Sequence, residues 1–249
     1  MYLEFSTLFL LFLAATLAGF VDSIAGGGGI ITLPALLAAG IPPHQALASN
    51  KLQSSFGSFT AAMNYARLGL MNPKELYIGV FFTFVGAAIG ATVVQFFPAG
   101  RLESLIVLLL IVIFIYTAFT PGLGMEAGPH RIAHTLFYTL FGLLIGFYDG
   151  FFGPGTGSFW TMAMVLLLGL DLKAATARSK LFNFTSNIVS LGVFIHAGLV
   201  LWSVGIVMGA GQMVGALLGS TLVHRRELKF IRIFFLLVVG ATILKLLAA

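Results

Sequence analysis

A glycine-rich break occurs twice in this chain, each time inside an apolar run and each time followed by a lysine set among apolar residues. The first copy runs from Gly19, Phe20, Val21 and Asp22 to Gly26, Gly27, Gly28 and Gly29, with Ala48, Ser49, Asn50, Lys51 and Leu52 after it. The second runs from Gly146, Phe147, Tyr148 and Asp149 to Gly153, Pro154, Gly155 and Gly157, followed by Ala177, Arg178, Ser179, Lys180 and Leu181. A break leaves backbone N–H and C=O groups without helical partners, and an apolar medium tolerates that only inside protein or along a cavity. Interrupted apolar segments at matching places in two halves mark the binding site of a transporter.

Composition sets the medium. The chain is 59% hydrophobic and 8% charged, whereas soluble domains carry roughly a quarter charged residues. Stretches such as Leu102 to Thr120 and Phe230 to Leu247 are long enough to cross a hydrocarbon core, which takes ~20 helical residues. The sequence predicts an all-α, polytopic helical membrane protein, multi-pass, with the lipid bilayer as its surroundings. The N-terminal apolar run lacks a basic n-region and leads into the first motif, so it reads as a retained span. The net charge of +5 sits in short loops beside the spans. Arg225, Arg226, Lys229 and Arg232 form the clearest cluster, of the kind that marks a cytoplasmic side. No basic groove with stacking aromatics accompanies them, so no nucleic-acid partner is expected. The absence of cysteine excludes disulfides, thiolate metal sites and cysteine nucleophiles.

The two motifs belong to a longer repeat. Lys51 and Lys180 differ by 129 positions, and the same offset pairs Ala46 with Ala175, Ala48 with Ala177, Gly69 with Gly198, and Gly86 to Gly90 with Gly215 to Gly219. The aspartates align at 127, from Asp22 to Asp149. The chain divides into an N-terminal repeat, 1–125, and a C-terminal repeat, 126–249. Each half is expected to hold a span ending in the break (7–25 and 134–152), a short apolar helix (30–39 and 158–170) and a long helix rich in small residues (44–67 and 173–196). Two ordinary spans complete each half, for eight full spans plus two short helices. If each short helix completes a crossing, a half has an odd number of crossings and the halves are inverted; otherwise they are parallel. The loop charges favour inverted repeats. Arg67 and Lys74 flank a turn whose equivalent near Leu199 to Ser203 has no basic residue, and the loop at Gly100 to Leu102 carries one arginine where its partner carries the Arg225 cluster. Glycines four apart, as in Gly86 and Gly90, Gly205 and Gly209, or Gly211, Gly215 and Gly219, read as close helix packing.

Polar residues then mark a candidate site. Asn50, Ser54 and Ser58 recur every four residues on the first long helix; Ser179, Asn183 and Asn187 occupy the aligned positions, with Ser190 continuing the stripe. Such spacing places side chains on one helix face, which in a bilayer must meet protein or water. Interhelical hydrogen bonding alone is the plainer explanation. Lys51 and Lys180 lie about two turns into these helices, where a charge is costly unless something offsets it. Arg178 adds a cation with no carboxylate on the same helix. Uncompensated cations suit a small anionic substrate, although lysines can also snorkel to an interface. Backbone N–H groups in Gly26 to Gly29 and Gly153 to Gly157 can converge on the same ligand, at the positive ends of the short helices. Asp22 and Asp149 read either as proton-coupling acids or as ion-pair partners of Lys51 or Lys180, or as caps near a break.

These motifs resemble those of the sulfite exporter TauE/SafE family, also called the TSUP permeases, and within it a subgroup of bacterial inner-membrane proteins. The resemblance rests on Gly19 to Gly29, on Ala48, Ser49, Asn50, Lys51, Leu52 and Gln53, and on Gly146 to Gly157 with Ser179, Lys180 and Leu181, and it spans nearly the whole chain. The second motif departs from a plain glycine run at Pro154 and Thr156. The resemblance implies transport of small sulfur-containing or organic anions such as sulfite or sulfonates.

The residues thus predict a secondary transporter of a small anion, with Gly26, Gly27, Gly28, Gly29, Asn50, Lys51, Ser54, Gly153, Gly155, Gly157, Ser179, Lys180, Asn183 and Asn187 as binding residues and Asp22 or Asp149 carrying a proton. A passive anion channel needs the same cations without a coupling acid. An enzyme is not expected: there is no cysteine, no histidine pair at metal-ligand spacing and no Gly-x-Ser-x-Gly elbow. No cofactor or metal is expected, and a homo-oligomer is left open.

Overall fold

The computed structural model describes residues 4–102, 104, 105, 108 and 129–225, and these residues form α-helices and short helical turns with no strand. In chain order the helices are α1 (Phe5–Ala25), α2 (Gly28–Ala38), α3 (Pro43–Arg67), α4 (Tyr77–Val93), α5 (His134–Phe151), α6 (Thr156–Leu168), α7 (Leu172–His196) and α8 (Trp202–Arg225). Among them α1, α4 with its following turn, and α8 are long and apolar enough to cross a membrane. The expected spans at 102–120 and 230–247, and the boundary at 125, lie almost wholly outside the described residues.

Local sequence explains where the helices begin and end. Proline occupies the first turn of α3, where its missing N–H costs nothing. The Asp171 side chain caps α7 by accepting from the N–H groups of Lys173 and Ala174, each at 3.0 Å, as an N-cap acid does. In the breaks, Gly26 and Gly27 have φ of 74° and 122°, and Gly153 and Gly155 have 101° and 84°, values that L side chains rarely adopt. The short helices start immediately after, two residues earlier than expected, so Gly28, Gly29 and Gly157 belong to first helical turns rather than to the loops. The repeat is visible in these bounds: α3 and α7 start at 43 and 172 and end at 67 and 196, both pairs 129 apart.

Glycines set the closest helix contacts. A side chain at Gly86 or Gly90 of α4 would strike the backbone of α5 at Leu143 or Phe147, and one at Gly215 or Gly219 of α8 would strike α1 at Thr16 or Phe20. Gly142 lies against Phe82, Gly146 against Thr83 and Gly150 against Ala87, so α4 and α5 run in the same direction. By the same reasoning α1 runs with α8, through Gly211 against Phe12 and Gly219 against Ser23. Helices α3 and α7 run in opposite directions. The Phe59 and Phe184 rings meet at 5.2 Å, while Ser49, near the start of α3, accepts from the N–H of Leu201 beyond the end of α7.

The apolar core is split in two. One cluster joins α2 to the start of α3 and the end of α7, through Leu33, Leu36, Leu47, Leu191 and Phe194. The other joins α6 to the end of α3 and the start of α7, through Trp160, Met164, Tyr65 and Phe182. Between them the middle turns of α3 and α7 bury polar side chains, including Asn50, Lys51, Lys180 and Asn183. The two helices with the polar stripes therefore cross at a polar layer closed on both sides by apolar packing.

Candidate functional site

Both buried lysines are neutralised, each by the acid of the opposite break. Lys51 Nζ on α3 lies 2.6 Å from Asp149 Oδ1 at the end of α5, with side chains 1% and 4% exposed. Lys180 Nζ on α7 lies 3.2 Å from Asp22 Oδ2 at the end of α1. Each ammonium also donates to the main-chain carbonyl of its aspartate; that of Asp149 lies at a helix end, and that of Asp22 also accepts from the Gly26 N–H at 2.9 Å. The expectation of uncompensated cations is corrected accordingly, and the alternative reading of Asp22 and Asp149 as ion-pair partners of the lysines holds: a search along the same helix misses a partner supplied by another one. Buried charges demand such pairing, and the four ionised groups sum to zero.

The breaks interlock around these pairs. Ser158, in the first turn of α6, donates to the carbonyls of Ala25 and Gly26 at 2.8 and 3.0 Å. Tyr148 OH reaches the Pro154 carbonyl at 2.6 Å and holds the second loop. A side chain at Gly153 would lie 2.8 Å from Lys51 Nζ, and one at Gly157 would lie 2.9 Å from Asn183 Nδ2 and 3.0 Å from Lys180 Nζ. Glycine is required here for close approach to charged side chains.

Inside this assembly is a polar cavity of about 20 Å³, the scale of one or two water molecules. Its walls are Asp22, Gly27, Gly29, Asn50, Lys51, Ser54, Asp149, Gly153, Gly155, Thr156, Gly157, Asn183 and Asn187. Of the expected binding residues, Gly26, Gly28, Ser179 and Lys180 are not in the wall. Gly26 packs on Gly157, Gly28 gives its N–H to Asp22 Oδ1 at 3.1 Å, and Lys180 sits behind Asp22. Ser179 donates to the carbonyl of Thr176 on its own helix. Ser58 and Ser190 likewise turn onto backbone carbonyls, as serines in membrane helices can. Each stripe therefore contributes two side chains, shifted by one turn relative to the repeat: Asn50 and Ser54 from α3, Asn183 and Asn187 from α7.

Other residues were not legible as site residues. Thr32 and Gln53 both donate to Asn50 Oδ1, at 2.5 and 2.7 Å. They fix the amide so that Nδ2, a donor, is left for the cavity. Ser186 donates to Asp149 Oδ2; its counterpart at the 129 offset is Gly57, so the repeat does not single it out. Thr156 lines the cavity at the point where the second motif departs from a glycine run. Arg178 lies away from the cavity wall, 3.5 Å from Tyr138 OH. The expectation of no histidine pair at metal-ligand spacing is also corrected: His130 and His134 are four residues apart and their ring centroids lie 4.9 Å apart. No third metal-ligating side chain joins them among the described residues.

The sequence matches a known family along almost the whole chain: the profile described as sulfite exporter TauE/SafE covers residues 11–246. The chain belongs to the sulfite exporter TauE/SafE family. It is 45% identical to a Sinorhizobium protein named probable membrane transporter protein ORF9, over 99% of this chain and 94% of that one. It is equally 45% identical to the Escherichia coli protein named probable membrane transporter protein YfcA, over 95% and 88%. A Haemophilus influenzae protein named probable membrane transporter protein is 41% identical over 90% and 88%. No solved structure matches the chain. This TauE/SafE member is a membrane transporter.

Proposed function

We propose that this TauE/SafE protein is a multi-pass secondary transporter of the cell inner membrane that carries a small anion by alternating access. The observation that supports this most is the polar cavity between two apolar clusters, lined by both glycine breaks, by Lys51 and by asparagines of both halves. Opening one cluster while the other stays packed exposes the cavity to one side at a time. The halves, 1–125 and 126–249, act as inverted repeats; this reading rests on α3 and α7, equivalent in sequence and antiparallel in space. At about 20 Å³ the cavity is smaller than an organic anion, so it describes an occluded state that widens on binding.

Lys51, the asparagine amides and the glycine N–H groups bring donors to the wall, the chemistry an anion needs. The family description, sulfite exporter, makes sulfite and sulfonates the first candidates, with other organic anions next. Asp22 and Asp149 are the acids that would carry a coupled proton. Flux into proteoliposomes tests the proposal. Saturable uptake of sulfite or a sulfonate that responds to an imposed proton gradient is expected. Uptake that ignores the gradient and survives Asp22→Asn with Asp149→Asn supports a passive channel instead, and no anion flux at all overturns both.

A further inference from the structure

The two lysine–aspartate pairs are unequal. Asp149 is enclosed, with Lys51 at 2.6 Å on one oxygen, Ser186 donating to the other and 4% of its side chain exposed. Asp22 is 19% exposed, and Lys180 stands at 3.2 Å from Oδ2. Its Oδ1 accepts from the N–H groups of Gly27 and Gly28 at 3.0 and 3.1 Å. Since Gly57 stands where the second half has Ser186, no hydroxyl holds Asp22 in place.

The donors on Asp22 are those an oxyanion requires. The N-terminal amides of α2, a helix of 11 residues, and a fully buried ammonium together fit two oxygens of one anionic group. Asn183 opens on the same cavity beside Lys180; it is 4% exposed and its Oδ1 has no hydrogen-bond partner. Oδ1 is an acceptor, and it is the Nδ2 of the same amide that can donate to an anion. Asn50 adds a donor whose orientation is fixed by Thr32 and Gln53.

We propose that the Asp22 carboxylate is a tethered occupant of the substrate's oxyanion subsite, formed by Gly27 N–H, Gly28 N–H and Lys180 Nζ, and that an anion enters as Asp22 takes up a proton. The inference rests on the anion-transporter reading and extends it to a coupling residue. One proton adds to a carboxylate oxygen of Asp22, the ammonium of Lys180 transfers its contact to the incoming anion, and no other bond is made or broken. The site holds one ammonium and one anion before and after, so a monovalent anion and its proton cross together without net charge. That balance avoids the cost of an unpaired charge in the apolar layer. The titratable groups facing Asp22 are Lys180 from α7, Tyr65 from α3, whose hydroxyl donates to the neighbouring Ser23 carbonyl, and the Lys51–Asp149 pair across the cavity. Helices α2 and α6 carry no titratable side chain, and α8 has none from Trp202 to Val223.

The test is binding of methanesulfonate, sulfate and thiosulfate, whose charges are constant between about pH 5 and 8, to the purified full chain. For wild type, the affinity for whichever anion binds should fall about tenfold per pH unit once Asp22 is ionised, the slope of one linked proton. Asp22→Asn should bind with no such slope and at least about tenfold more tightly at the alkaline end, while Asp149→Asn keeps the slope. A slope retained in Asp22→Asn, or lost only in Asp149→Asn, overturns the inference and leaves the anion reading standing. No anion binding to any variant overturns both. Should Asp22→Asn fail to fold, wild-type proteoliposomes decide: electroneutral uptake with one proton per methanesulfonate supports the inference, and electrogenic uptake without protons overturns it.

Discussion

Lys51 and Asp149 lie 98 positions apart in sequence and meet at 2.6 Å in the centre of the bundle, joining the first half to the break of the second. Lys180 and Asp22 make the reciprocal connection over 158 positions. The breaks are thus joined through their charges, and opening the cavity to either side has to work around these two pairs.

Breaking one pair leaves a buried charge alone. Lys51→Met should lower unfolding free energy by about 3–5 kcal/mol, whereas Lys51→Met with Asp149→Asn should recover most of that loss, because both charges go together. Denaturant titration of wild type, both single variants and the double variant gives the coupling. Additive losses would show that the pair contributes nothing beyond its separate residues.

Asn183 separates stability from function. Its side-chain oxygen is buried without a partner, a state that costs about 1–3 kcal/mol in a folded protein. Asn183→Leu should therefore hold or raise the unfolding temperature while lowering anion flux at least about tenfold, the equivalent of one lost hydrogen bond from Nδ2 to a charge. Equal flux would remove Asn183 from the site.

Thr32 acts through Asn50. Thr32→Val keeps the shape but removes one of two donors to Asn50 Oδ1, so substrate affinity should fall by roughly fivefold, about 1 kcal/mol, with turnover unchanged. A drop in turnover alone would point to a structural role.

Glycine packing can be checked by contrast. Gly215→Val should destabilise by at least about 1–3 kcal/mol, since the new side chain meets the α1 backbone. Gly192, within α7, faces open space, and Gly192→Ala should stabilise by about 0.5–1 kcal/mol through helix propensity. Thermal unfolding in one detergent ranks the two.

Much of the fold was legible because membrane helices are punctuated by few residue types. The glycine breaks mark ends that hydrophobic length alone leaves vague, and the bounds of α3 and α7 follow the offset seen between Lys51 and Lys180. The glycines four apart were read correctly as contact points. Ion pairing of these lysines with the two aspartates was among the readings, but which acid meets which lysine was not legible, since nothing local in α3 or α7 says which distant carboxylate arrives. Nor does a four-residue stripe say which serines turn back onto their own helix: Ser179, Ser58 and Ser190 do, while Asn183 and Asn187 reach the cavity. Ser186 and Gln53 stayed hidden because their repeat partners, Gly57 and Phe182, carry no matching group.

The most direct measurement is a thermal-shift titration of the purified protein with sulfite, sulfate, thiosulfate, sulfoacetate and simple carboxylates, beside Asn183→Leu and the Lys51→Met, Asp149→Asn double variant. The expected result is stabilisation by at least one anion that grows with concentration and is lost in both variants. Stabilisation that persists undiminished in both, or that no anion produces, would contradict an anion site at the crossing of α3 and α7.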